Sequence, residues 1–382
     1  MNSYEPYLIE DVKKSSSREL FTVVSTFAGG GGSSTGYRLA GGKVIAINEF
    51  VEEAVATYSL NFPDTKVILG DIKNITGKDL LQTGNLSPGE LDILDGSPPC
   101  SAFSSSGKGK KGWNKDKKYS DGKTVTNIED LFLEYIRIAT DIQPKIIVAE
   151  NVEGITSRAA IEKLREFVTG FERISPGYRM VYRVMDASKF GVPQSRMRTF
   201  FVGIRNDVFE TLGLQEYELA SLIYPQYSTS EGVSIASAID NIDNDPEEVQ
   251  MLLDACENSF QKKFVETMAF NPSKTLKPGP VNGKISCFNM KRPAPNKPSP
   301  TLTQMGQQRS ASGVMHYAAN RKLTIKEMKR IMSLPDDYRL TGSFDQQAER
   351  IGRMVAPKMM SALATSIYEN ILKPYKEICN DR

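Results

Sequence analysis

Histidine is nearly absent from this chain, with His316 the single example in 382 residues. That all but excludes a Ser-His-Asp hydrolase and a multi-histidine metal site. Cysteine is scarce too. Cys100, Cys256, Cys287 and Cys379 stand far apart and form no Cys-x-x-Cys pair, which argues against a zinc site and a disulfide framework; no metal is expected. No apolar run approaches the ~18 residues a membrane helix needs. Residues 1–19 are polar and carry acids, unlike a signal or transit peptide. A cytoplasmic protein without a membrane partner is the expectation. A large charge of either sign is also missing: the net charge is +2, so overall charge says little about nucleic acid. The 40% hydrophobic and 25% charged content is ordinary for a soluble protein. At 382 residues the chain is long for one domain and comfortable for two.

What is present is an alternation of strand-like and helix-like segments. Apolar runs at 21–27, 43–49, 66–69, 91–94, 145–151, 178–184 and 199–204 read as strands. Between them, 33–40, 51–60, 128–142 and 159–171 carry helical patterns. This βαβα rhythm predicts an α/β fold, a mostly parallel sheet with helices on both faces. The rhythm breaks after about residue 206, where prolines and asparagines interrupt any period up to about residue 300. Residues 297–304 then read as a strand, and 323–333 and 346–372 as helices, the second interrupted by Pro357. The expected organisation is a catalytic domain over 1–205, a smaller domain over 206–300, and a segment over 301–382 that returns to the first.

Two places carry chemistry. The first strand ends in Gly29-Gly30-Gly31-Gly32 and a helix follows. Glycine lets a ligand approach the backbone, and the helix N-terminus offers free N–H groups. Glu49 ends the next strand, twenty residues after Gly29, where a carboxylate can accept from ribose hydroxyls. Asp71 ends a third strand and can accept from an adenine amino group. The pattern fits adenosine and does not separate NAD from S-adenosylmethionine. The second place is Asp92-Ile93-Leu94-Asp95-Gly96-Ser97-Pro98-Pro99-Cys100. It delivers a cysteine to the C-terminal edge of a strand, where open α/β sheets bind ligands. A polar loop follows, with six lysines against one acid between Lys108 and Lys118 and the only tryptophan, Trp113, in its middle. Taken alone, that run is as well explained by a solvated surface loop.

Phe27-Ala28-Gly29-Gly30, Asn48-Glu49-Phe50, Gly70-Asp71-Ile72, Pro98-Pro99-Cys100, Glu150-Asn151-Val152 and Gln194-Ser195-Arg196-Met197-Arg198 occur in one order. Lys297-Pro298-Ser299-Pro300-Thr301 and Gly352-Arg353-Met354-Val355-Ala356-Pro357 follow. The ordered set resembles the DNA (cytosine-5)-methyltransferases, with a gap near 210–290. The resemblance implies a Rossmann-like S-adenosylmethionine-dependent methyltransferase domain with a smaller target-recognition domain over 206–300. It implies Cys100 as the nucleophile that adds to C6 of cytosine, which makes C5 nucleophilic. It assigns Glu150 to N3, where a partly buried carboxyl can hold a proton. Arg198 would serve O2, and Arg196 would orient the base, the loop or nearby carboxylates. Phe27 and Phe50 would pack adenine and Glu49 would hold ribose. Asp71 with Ile72 would meet the adenine edge, Gly29, Gly30 and Gly31 the methionine moiety, and Pro99 would complete the pocket.

Double-stranded DNA with a flipped-out target cytosine is the implied substrate, with the lysines of the 101–123 loop meeting phosphates. A bacterial or phage-encoded monomer, with a cognate restriction endonuclease as a partner not needed for activity, completes the expectation. Arg353 departs from the family's usual asparagine, and Ala356 intervenes before Pro357. Three other readings compete: an RNA cytosine-5 methyltransferase on the same motifs, a non-catalytic DNA-binding member, and an NAD-dependent oxidoreductase. Intact Cys100, Glu150 and Arg198 oppose the second, and Pro-Pro-Cys is unexplained by the third.

Overall fold

The computed structural model describes residues 3–98, 117–118, 124–125, 130–158, 160–227, 232–257, 262–265, 268, 270–277, 290–304 and 313–381. Pro99, Cys100, Trp113 and the lysines from Lys108 to Lys115 lie outside them. The chain divides into two compact units. One comprises Glu10–Met185, Met197–Gln226 and Met360–Arg382; the other comprises Met1–Ile9, Asp186–Arg196 and Tyr227–Met359.

The first unit is built on a seven-stranded sheet. Its strands are β1 (Thr22–Thr26), β2 (Lys43–Glu49), β3 (Lys66–Leu69), β4 (Ile93–Gly96), β7 (Ile146–Val152), β8 (Tyr178–Asp186) and β9 (Met197–Arg205). Two short strands, β5 (Lys117–Lys118) and β6 (Thr124–Val125), form a separate antiparallel pair. The sheet order is β3-β2-β1-β4-β7-β9-β8. From β3 to β7 neighbours run parallel, and β9 pairs antiparallel to β7. The central strands bury their apolar residues. Val23, Val24, Ile93, Leu94, Ile146, Ile147 and Val148 are all fully buried. The expected α/β fold, with strands at these positions, is met.

The strand order places the site. From β1 the chain steps outward to β2 and β3, then crosses back to β4 on the other side of β1. Open sheets bind ligands where the order reverses, outside the C-terminal ends of the strands. Here those ends carry the glycine turn after β1 and the Pro98 segment after β4. The C-terminal helix Lys373–Asn380 belongs to this unit. Lys376 Nζ donates to Asp92 Oδ2 at 2.8 Å and to the Leu20 carbonyl at 2.9 Å.

In the second unit, one expectation fails. Residues 297–304 form no named strand; Ser299 makes a single parallel bridge to Gln194. Pro298 and Pro300 explain this, since neither has an N–H to carry a ladder onward. Pro357 also plays a different part from a mere interruption. It opens the helix Pro357–Ile367, after Phe344–Arg353 has ended; proline suits a helix start, where its missing N–H would have no partner.

Candidate active site

The turn after β1 is held by a carboxylate. Glu49, buried at the end of β2, accepts from Gly29 N at 2.7 Å through Oε2. Its Oε1 accepts from Phe50 N at 2.7 Å and Val51 N at 2.9 Å. A carboxylate has about four acceptor positions, so Glu49 fixes the turn and keeps capacity for one further donor. Phe27 sits in the left-handed region at φ 52° and packs against the sheet core. Gly29, at φ +55°, would meet nothing within 4 Å if it carried a Cβ; the turn is open on that side. Gly31, also left-handed at φ 91°, caps the helix Gly32–Leu39.

The ends of β2 and β3 are tied by Asn48, whose Nδ2 donates to the carbonyls of Ile68 at 3.0 Å and Gly70 at 2.9 Å. The Asn48-Glu49-Phe50 motif alone does not show this role; the buried amide does. Half-buried Asp71 accepts from Lys73 N at 3.1 Å and caps the short turn Ile72–Asn74. Ile72 turns its side chain into the core, so only its main chain is available to a ligand. The set of Glu49, Asp71, two aromatic rings and an open glycine turn fits an adenosine-bearing cofactor.

On the other side of the reversal, Gly96 of β4 is opposite Ala149 of β7, so the chain leaves β4 beside Glu150. Arg198 Nε pairs with Glu150 Oε1 at 2.8 Å, and both side chains are largely buried. Burial lowers the Arg198 pKa from its ordinary value while Glu150 opposes the shift. Asn151 Nδ2 donates to the Pro98 carbonyl at 3.3 Å. It therefore pins the segment two residues before Cys100, a role that Glu-Asn-Val alone did not reveal. The expected nucleophile Cys100 and the expected cofactor contact Pro99 are outside the described residues.

The other motif arginine belongs elsewhere. Arg196 is 1% exposed and lies in the second unit. Its guanidinium donates to three main-chain carbonyls: Leu302 at 2.9 Å, Gly352 at 3.0 Å and Met354 at 2.9 Å. These acceptors are peptide groups, where the sequence reading offered a base, a loop or carboxylates. Gln194 is fully buried beside it, accepting from Leu302 N at 2.9 Å and donating to the Ile331 carbonyl at 3.2 Å. Gly352 leaves no room for a side chain, because a Cβ would come within 2.5 Å of the Thr303 backbone. Three sequence motifs thus form one main-chain knot. Arg353, the family departure, pairs with Glu349 one turn earlier on its own helix. His316 accepts from Ala318 N at 3.1 Å and Ala319 N at 3.0 Å, and burial pushes its pKa below the ordinary value.

Among the described residues, no group of three or more His, Cys, Asp or Glu is placed to hold a metal ion. No helix there is long and apolar enough to cross a membrane.

Residues 21–369 match the family described as C-5 cytosine-specific DNA methylase. The chain is 31% identical over 398 residues to Type II methyltransferase M.DdeI of Desulfomicrobium norvegicum, covering 91% of this chain and 89% of that protein. It is 28% identical over 355 residues to Type II methyltransferase M1.HphI of Haemophilus parahaemolyticus, covering 91% and 86%. In fold it is similar to the S. pombe Dnmt2 methyltransferase, with TM-score 0.59 at 16% identity, covering 93% of this chain and 98% of that one. The Entamoeba histolytica methyltransferase EhMeth aligns with TM-score 0.60 at 15% identity over 91% and 98%. The chain, whose Rossmann-like sheet carries a glycine turn fixed by Glu49 after β1 and a Glu150–Arg198 pair at the end of β7, thus belongs to the C-5 cytosine-specific DNA methylase family.

Proposed function

We propose that this DNA cytosine-5 methyltransferase acts on a flipped-out cytosine in a specific double-stranded DNA sequence, through a covalent bond between Cys100 Sγ and C6. One observation carries the reading. The Glu150–Arg198 pair lies at the end of β7, and Asn151 of the same strand end holds the segment leading to Cys100. In this reading the Cys100 thiolate adds to C6 and charge develops on the ring. Glu150 then serves N3 and Arg198 serves O2, where positioned donors are worth most in a site that excludes water. Phe27, the Gly29–Gly31 backbone, Glu49, Phe50 and Asp71 would hold S-adenosylmethionine, which would supply the methyl group to C5 and leave as the thioether. Loss of the C5 proton to a base, with return of the electron pair to sulfur, frees Cys100 and restores the aromatic ring.

Target reading falls to the part of the expected 206–300 domain that lies in the second unit, 227–300, by hydrogen bonds to base edges. The relatives named Type II methyltransferases support a place in a restriction-modification pair with a restriction endonuclease as the cognate partner. The reading further has the methyltransferase act as a monomer in the cytoplasm.

The test is a duplex carrying 5-fluorocytosine at the target, whose fluorine cannot leave as a cation. Wild type with cofactor should give an adduct that survives denaturation, and Cys100→Ser should give none. Normal turnover in Cys100→Ser, or no adduct in wild type, overturns the mechanism. For target reading, residues 227–300 are exchanged with those of a relative, since 206–226 pack in the sheet unit. A folded hybrid that keeps the original target sequence removes the assignment.

A further inference from the structure

Asp95 has no part in the mechanism above, yet it is a buried carboxylate at the junction of both motifs. It lies on β4, 1% exposed, one residue before Gly96. Three hydroxyl groups donate to it. Ser25 Oγ reaches Oδ2 at 2.6 Å, Ser33 Oγ reaches the same oxygen at 3.0 Å, and the Tyr37 hydroxyl reaches Oδ1 at 3.1 Å. Ser25 is its direct cross-strand partner on β1. Ser33 and Tyr37 are four apart on the helix Gly32–Leu39, so they share one face. One side chain therefore holds both the strand that enters the glycine turn and the helix that leaves it.

Apolar residues would fill such a position without desolvating a charge. Burial raises the Asp95 pKa to about 6, against the opposing pull of the Ser25, Ser33 and Tyr37 hydrogen bonds. The other ionisable groups acting around it are Tyr37 on that helix, Tyr135 on the helix Asp130–Ile142, and Glu150 on β7. Glu150 is itself paired with Arg198 of β9. As an ionised acceptor Asp95 can take all three hydroxyl hydrogens; once protonated it must donate one bond, and the arrangement has to change.

We propose that Asp95 is a positioning residue whose carboxylate clamps Ser25, Ser33 and Tyr37, setting the shape of the glycine turn that receives the methyl donor and locking that turn to the strand leading to Cys100. The inference rests on the reading that S-adenosylmethionine sits over this turn.

The experiment is calorimetric binding of S-adenosylmethionine to the full chain from pH 5 to 8, in wild type, Asp95→Asn, Ser33→Ala and Tyr37→Phe. Wild-type affinity should fall as the pH drops through about 6. Asp95→Asn should bind about tenfold more weakly at pH 7.5. The ratio of its affinity to the wild type's should approach one toward pH 5, because contributions of other groups cancel in the ratio. Ser33→Ala and Tyr37→Phe should each weaken binding by about two- to fivefold at pH 7.5 and move the fall in affinity to higher pH, because each removes a hydrogen bond that holds the Asp95 pKa down. Equal affinity of Asp95→Asn and wild type across the range overturns the inference, and so does a weakened Asp95→Asn that runs parallel to wild type. Should Asp95→Asn fail to fold, unchanged affinity in both hydroxyl variants overturns it. A folded wild type that binds no S-adenosylmethionine sinks the functional reading instead.

Discussion

The two motif arginines, two residues apart in the chain, sit in contrasting surroundings. Arg198, in the sheet unit, faces one carboxylate at the end of β7 and the carbonyl of its chain neighbour Met197. Arg196, in the second unit, faces three peptide carbonyls drawn from two distant segments. A guanidinium held by one carboxylate and an adjacent carbonyl at a strand end can be redirected to a substrate with little rearrangement. One that satisfies three buried carbonyls cannot leave without stranding them, since an unpaired buried polar group costs as much as the bond it lost. Motif membership therefore marks two kinds of residue, those that in the proposed mechanism meet the reacting base and those that hold the backbone still.

The sharpest way to break this contrast is to remove each arginine and measure both stability and rate. Arg196→Met should destabilise the fold by about 3–5 kcal/mol, because three carbonyls are left buried without a charged donor. Chemical denaturation measures this, and a loss below about 1 kcal/mol would return Arg196 to the reacting groups. Arg198→Met should do the opposite. It should lower turnover by about 10²–10³-fold, or 2.7–4 kcal/mol, while the denaturation midpoint moves far less than in Arg196→Met. If both variants lose stability equally and neither loses rate per folded molecule, the distinction is wrong.

Next in size is Glu49, which combines both kinds of role. It bonds three main-chain N–H groups and in the proposed reading also holds the ribose. Glu49→Gln keeps one acceptor oxygen and loses the charge. Cofactor affinity should fall by about 1.5–3 kcal/mol, roughly tenfold to a hundredfold, with DNA affinity nearly unchanged. Calorimetry with each ligand separates the two, and equal cofactor affinity would leave Glu49 as a turn-holding residue alone.

The same contrast explains what was legible from residues in order. The sheet could be read because each strand carries a short apolar run that soon meets glycine, as Val23-Val24 ahead of the Gly29 turn and Ile93-Leu94 ahead of Gly96 do. Glu49 and Glu150 were legible as acids that close apolar runs. Arg196 was not, because its acceptors are backbone carbonyls at 302, 352 and 354, and a carbonyl has no residue-type signature. Residues 297–304 misled for a related reason: their alternation suits a strand, but Pro298 and Pro300 break the ladder. The Asp95 cluster was hidden because Ser25 and Asp95 meet only once β1 and β4 pair.

Arg353 offers the smallest test and the finest one. Arginine where the family resemblance implies asparagine would matter if it gripped the carboxylate at the amino-acid end of the cofactor. Its guanidinium instead pairs with Glu349, four residues back on the helix Phe344–Arg353. The pair lies in the last turn, where a cation also complements the helix dipole. Side-chain exposures of 27% and 15% keep it in partial contact with solvent, so an i,i+4 pair here is worth about 0.3–0.5 kcal/mol. Arg353→Asn should therefore lower stability by about that amount. It should change affinity less than about twofold for S-adenosylmethionine and for its decarboxylated analogue alike. Loss of affinity for the natural cofactor with none for the analogue would mean that Arg353 leaves Glu349 when the ligand binds. Arg353 would then join Arg198 among the residues that are redirected to a ligand, and the division between the two arginines would extend to a third.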